Sequence, residues 1–409
     1  TFVGNDGFGP VDVKPLLASA QSKPVSINHA TFTGFGSIRS AVIGPARRAP
    51  TAAELTQQQA LVRQAMCDGA LGLSTGLFYA PQSFAETAEV VALAKVAGVL
   101  GGHYDTHLRD ESNYTIGLAA SVEEAITIAR EARIPVHISH IKALGVDVHG
   151  LAPTIIAKVE RARAEGLAIT ADQYPWQASG TSLVAALVPV WAQDGGRAPL
   201  LKRFDDPALT DRLRAEMAEN LRRRGGADSL LVVQGRWKGQ RLSGIAAATA
   251  TDPVSAAIAA IREADAATIS FNMSPADIAA FMTQPWVVTG SDASTSHPRT
   301  YGSFAEKYAV YVRDGKLLTL REFIDRSSTL TADIFGLKDR GRLRPGAFAD
   351  VAVFNPARFA ARATYERPEL TAEGMRYVLV NGALAVDDGR LTGAAAGRAL
   401  AKKPAAGCQ

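Results

Sequence analysis

Long apolar runs are missing from this chain of 409 residues. None approaches the ~20 residues that a membrane-crossing helix needs, and no basic-then-apolar leader stands at the start, so no membrane partner is expected. Cysteine is scarce as well. Cys67 and Cys408 are too few for a disulfide framework, neither stands near a metal-type motif, and the second falls in a segment that reads as loose. A dominant charge is also absent, because 44 Lys and Arg against 40 Asp and Glu leave a net +4. The one basic run, Arg222-Arg223-Arg224, closes an expected helix, where cations suit the macrodipole, and reads as a solvated helix end. A nucleic-acid partner is therefore not expected.

What is present is ordinary for a protein with a substantial core: 47% hydrophobic and 21% charged residues. Short β-branched runs alternate with helical periodicity. Thr51 to Met66 is a helix with a Thr51 cap and Glu54 three residues later. The strand Ala70 to Ser74 follows it, and a helix from Ala85 to Leu100 then feeds a strand ending at His107. Another helix, Val122 to Ala132, feeds one ending at His140, and Thr154 to Glu165 feeds Ala168 to Tyr174. This alternation argues for parallel βα units.

From Pro189 to Ala266 the rhythm loosens into an insertion on the rim, after which Ala267 to Phe271 and Pro285 to Thr289 read as further strands. The fold class is α/β: a (β/α)8 TIM-type barrel over residues 1–340, with an insertion at about 189–266. A small separate β element over 341–391 and a loose tail over 392–409 complete it. The chain opens at Thr1 inside a strand-like run, so its N-terminal part is expected to be missing. Cytoplasmic localisation is expected, with the periplasm as the alternative.

Several of these strands end in metal-competent side chains. Barrel enzymes gather their chemistry at the carboxyl ends of the strands, so His107, His140 and Asp292 should meet at one mouth. A single His at a strand end is more often structural, by roughly two to one; three such residues in one alternating pattern reverse that. Asp6, in the turn Gly4-Asn-Asp-Gly7, reads from pattern alone as a self-capping turn residue more readily than as a mouth residue. Tyr79 fits a core position as well as a pocket donor. Arg299, in Ser296-His-Pro-Arg299, has a planar fork suited to a carboxylate, with a surface ion pair equally open.

The chain resembles the amidohydrolase superfamily, most closely its D-aminoacylase or N-acyl-D-amino-acid deacylase branch. Gly4-Asn-Asp-Gly7, Gly72 to Tyr79, Thr106-His-Leu-Arg-Asp-Glu111, Ile138-Ser-His-Ile-Lys142, Asp172-Gln-Tyr-Pro175, Gly290-Ser-Asp292 and His297-Pro-Arg299 carry the resemblance in order, with Pro345 to Phe354 as the closing β element. It implies a metal-dependent (β/α)8 barrel joined to a small β-sandwich portion at 341–391, with Zn2+, one or two ions or another divalent metal, held by His107 and His140. Asp6 stands where many members carry a bridging cysteine. Asp292 is the implied catalytic aspartate and a further metal ligand, while Lys142, Tyr79 and Arg299 contact substrate. The superfamily's His-x-His pair occurs nowhere in this chain.

The implied reaction is zinc-dependent hydrolysis of a small-molecule N-acyl-D-amino acid to a carboxylate and a free D-amino acid. The alternatives are a cyclic-amide hydrolase or dipeptidase on the same machinery, or a non-catalytic ligand-binding member with an incomplete metal site. A homo-oligomer is compatible with all three.

Overall fold

A six-stranded parallel sheet organises the molecule, and the computed structural model describes residues 1–408. Its strands run in the order Val287–Thr289, Ile169–Gln173, Val136–Ile138, His103–His107, Gly72–Gly76 and Thr33–Gly34. A second parallel pair, Phe2–Val3 with Ala30–Thr31, extends the row, because Ala30–Thr31 runs straight on into Thr33–Gly34. Phe32 N donates to Val3 O at 3.0 Å across that join.

Among the described residues no ladder joins Val287–Thr289 to Phe2–Val3, so the α/β barrel is not closed into the eight-stranded ring expected. Helices Ala52–Cys67, Thr87–Val99, Leu118–Ala132 and Ala152–Ala164 alternate with the strands as the periodicity predicts. Each buries one stripe, for example Val62, Ala65 and Met66, or Ile155, Val159 and Ala162, against Leu73, Tyr104, Val136, Ile138 and Ile169. Thr51 and Glu54 form the predicted capping box. Because strand residues alternate in direction, Tyr104 and the helix-facing apolar residues leave His103, Asp105 and His107 for the interior.

Three expectations change. Ala267–Phe271 is a strand but not a barrel strand: it pairs antiparallel with Ala178–Ser182 on one side and Leu230–Val232 on the other. With Thr210–Arg223, Leu242–Ala248 and Pro253–Glu263 it forms a rim unit with its own core, which begins well before Pro189. The segment 351–391 forms one four-stranded antiparallel sheet. The expected loose tail is pinned instead. Gly397 N donates to Val25 O, Leu400 N to His29 O and Lys402 N to Gly69 O, and Cys408 is disulfide-bonded to Cys67. Sequence distance hid that pair, since the two cysteines stand 341 residues apart.

Candidate metal centre and active site

At the carboxyl ends of the parallel strands, Asp6, His107 and His140 converge, with donor atoms all within 4.8 Å of one another. His107 Nδ1 lies 2.9 Å from His140 Nε2, His140 Nε2 lies 3.4 Å from Asp6 Oδ2, and His107 Nδ1 lies 3.9 Å from the same oxygen. Two donors on a tetrahedral zinc stand ~3.3 Å apart when bond lengths are ~2.0–2.1 Å, so these spacings suit one such cation. The buried Asp6 Oδ1 and His107 Nε2 have no hydrogen-bond partner. Nitrogen and carboxylate donors in this number match the chemistry of zinc or a similar divalent metal.

The backbone supports this convergence at a local cost. Asp6, His140 and Asp292 all adopt left-handed φ, at 57°, 38° and 44°. Such conformations are unfavourable for side chains other than glycine and persist where the surroundings fix them. In each case the strand has just ended and the chain turns sharply, aiming the side chain across the mouth instead of along the strand. Asp172 helps hold the turn, accepting His140 N–H at 3.1 Å. Residue 290 must be glycine for the same reason, because a Cβ there would sit 2.0 Å from Asp172 Oδ1.

Glu111, which the motif contained but to which no role was given, completes the arrangement. Its Oε1 lies 3.1 Å from His140 Nδ1 and 2.6 Å from Lys142 Nζ. Accepting from Nδ1–H would leave Nε2 turned toward Asp6 and His107, the outer-shell carboxylate pattern that orients ligating imidazoles. The available signal was spacing, since Glu111 follows His107 by four residues. Lys142 is not free in the pocket, because Glu111, His140 Nδ1 and His140 O surround its Nζ.

Asp292 lines the same cavity but does not join the three-donor cluster; its Oδ2 lies 2.6 Å from Arg299 Nη1. Arg299 also donates through Nη2 to Ser294 Oγ, and its buried Nε makes no hydrogen bond among the described residues. The guanidinium lies 4.8 Å above the Tyr174 ring. Tyr79 also lines this cavity and packs ring to ring on His107 at 4.9 Å. The cavity these residues share measures about 210 Å3.

Burial is the largest influence on His107, His140, Glu111 and Asp292. It pushes His107 down to about 4, which keeps that imidazole neutral and able to ligate. Burial and then Lys142 act to lower His140, but Asp292, Asp6 and Glu111 outweigh them and raise it well above the ordinary value. Glu111 goes the other way: burial favours its neutral form, and His107, Lys142 and His140 hold it well below the usual carboxylate range. Carboxylates that draw a proton to His140 would equally draw a metal cation. Asp292 is raised by burial, despite the opposing Arg299.

The remaining histidines stay out of the cluster. His137 is held by Thr170 Oγ1 and Asp172 Oδ2, His149 by Asn272 O, and His297 by Ala178 O. His103 packs against Phe335.

This fold and donor set are those of a metal-dependent hydrolase barrel. Residues 37–386 match the amidohydrolase family, and the chain belongs to that family. Its relatives narrow the class. The D-aminoacylase of Alcaligenes xylosoxydans xylosoxydans is 32% identical over 393 residues, 95% of this chain and 73% of that protein. N-acyl-D-glutamate deacylase from the same source is 31% identical, covering 91% and 69%. Among solved structures, N-acyl-D-glutamate deacylase from Bordetella bronchiseptica, complexed with zinc and a phosphonate inhibitor, aligns with a TM-score of 0.79 at 32% identity, covering 95% of this chain and 75% of that one. A D-aminoacylase structure aligns with a TM-score of 0.81 at 31% identity, covering 96% and 75%.

Proposed function

We propose that the protein hydrolyses the amide bond of N-acyl-D-amino acids, releasing a carboxylate and a free D-amino acid. The observation that carries this reading is the three-donor cluster of Asp6, His107 and His140 facing the Asp292–Arg299 pair across one small cavity. Relatives at about a third identity are deacylases of this substrate class, which supports the same conclusion.

Asp6, His107 and His140 would hold the divalent cation, which when bound supplies Lewis acidity to an amide carbonyl. Asp292, raised by burial, is placed to take a proton from water and return it to the departing nitrogen. Arg299, whose Nη1 lies against Asp292 and whose buried Nε makes no hydrogen bond among the described residues, has a planar fork suited to the substrate's α-carboxylate. Tyr79 closes the wall beside His107 and contributes its hydroxyl to orientation. Lys142 acts on substrate less directly than its motif implies, because Glu111 Oε1 and the His140 carbonyl oxygen already accept from its ammonium.

Zinc-loaded protein should release free amino acid from N-acetyl-D-amino acids, spare the L isomers, and lose turnover in Asp292→Asn. Cleavage of hydantoins or dipeptides with none of N-acetyl-D-amino acids would overturn the reading.

A further inference from the structure

Three long-chain cations line the cavity: Lys142, Arg224 and Arg299. The first is 2.6 Å from Glu111 and the last 2.6 Å from Asp292. Arg224 is different. Among the described residues no carboxylate stands within ion-pair distance of it, although it is only 1% exposed. Burying an unpaired charge is costly, and such a group persists where its counter-charge arrives from elsewhere.

The fold fixes this guanidinium deliberately. Helix Thr210–Arg223 ends against Gly145, where φ is 101° and a Cβ would meet Arg223 O at 2.5 Å, so the helix end sits directly on the loop that follows Lys142. From there Arg224 donates through Nε to Ala186 O at 3.1 Å and through Nη1 to Ser270 Oγ at 3.0 Å. It lies 5.5 Å from the centroid of the Tyr114 ring, another lining residue. Its Nη2 makes no hydrogen bond among the described residues. Two positions beyond Ser270, Asn272 is 3% exposed and accepts through Oδ1 from the lining residue Ser179, while its Nδ2 has no partner among the described residues. The rim unit thus delivers a directed cation with an open donor to a cavity whose other two long-chain cations each lie against a carboxylate of the protein.

We infer that Arg224 is the selectivity residue of this site and binds a second carboxylate, one carried on the side chain of the amino-acid portion of the substrate. The preferred substrates are then acidic N-acyl-D-amino acids, with Arg299 taking the α-carboxylate and Arg224 the side-chain one. This deepens the deacylase reading and rests on it.

N-acetyl-D-glutamate and its neutral isostere N-acetyl-D-glutamine separate the two ideas. In the wild type, kcat/KM should favour the glutamate compound by at least about tenfold, and Arg224→Gln should collapse that ratio by about 10- to 100-fold, the range of a charge-assisted hydrogen bond. Both compounds meet the same folded fraction of enzyme, so a ratio survives any loss of stability. An unchanged ratio, or an equal loss for both compounds, would overturn the assignment. Turnover of N-acetyl-D-leucine without any preference for glutamate over glutamine would sink Arg224 alone and leave deacylation standing. No turnover of any N-acetyl-D-amino acid would sink deacylation, and calorimetric titration of the same two compounds into wild type and Arg224→Gln would still decide Arg224. A glutamate preference in binding that the variant lacks supports it, and equal binding of both compounds by the wild type rejects it.

Discussion

Two pairs of histidines come from the same two segments of chain and meet different fates. His107 and His140 stand at the mouth, among Asp6, Glu111 and Asp292. His103 and His137 stand deeper, one at 5.4 Å and the other at 5.2 Å from the Phe335 ring, which also packs on Phe2 and Phe32. In the deeper pair the interactions are saturated or apolar: His137 has a partner on each ring nitrogen, and burial pushes His103 down to about 4. In the mouth pair, a buried nitrogen and a nearby carboxylate oxygen lack partners. Position on the strand, more than residue type, therefore decides which imidazole ligates. The left-handed turns just past the strand ends create the convergence, while the straight strand below them yields only packing.

The contrast predicts separable losses. His140→Ala should abolish turnover and lower zinc affinity by more than about 100-fold, exceeding what loss of an outer-shell partner does, with little change in melting temperature of the metal-free protein. Phe335→Ala should cost about 3–5 kcal/mol of stability, the usual effect of emptying a buried aromatic site, and leave zinc stoichiometry unchanged. Zinc titration and urea melts on both variants test this. Loss of zinc from Phe335→Ala at permissive temperature would mean that mouth and floor are one unit.

Much of this was legible because periodicity is local. The βα alternation, the Thr51 capping box and the convergence of His107 with His140 all follow from short-range patterns that the fold keeps. The Asp6 turn is less so, since a self-capping aspartate and a ligand share the same local sequence, and only the opposing strands distinguish them. The Cys67–Cys408 bond and the pinned tail depend on contacts between the two ends of the chain, which no window of residues contains. Arg224 was read with Arg222 and Arg223 as one solvated helix end. Arg222 fits that reading, paired at the surface with Asp147 and Glu219. A helix end docked on Gly145 instead turns Arg224 inward, where charge composition alone places a cation badly.

Within the mouth, Glu111 offers a finer test of whether its carboxylate only balances charge or also orients His140. Glu111→Gln keeps the shape and removes the charge. It should weaken zinc by about 10- to 100-fold, as outer-shell substitutions do, and shift the pH dependence of zinc uptake. An affinity equal to wild type would reduce Glu111 to a counter-ion for Lys142.

The smallest effect concerns a second buried lysine. Lys142 has Glu111 for company, whereas Lys307, on the helix side of Val287–Thr289 and fully buried, donates among the described residues only to Thr289 Oγ1, at 2.9 Å. Burial first, and Arg326 second, push Lys307 down to about 7 against a weak opposing pull from Asp172. An unfolded lysine titrates near ~10.4, so between about pH 7 and pH 10 the unfolded chain holds a proton that the folded chain has released. Stability therefore rises with pH across that window, and the penalty of the buried charge is complete below it. Lys307→Met removes the penalty. Its melting temperature should exceed that of the wild type most at pH 6 to 7, with the gap closing as pH approaches 10. A gap that stays constant with pH would show that Lys307 is charged, and compensated, in the folded protein.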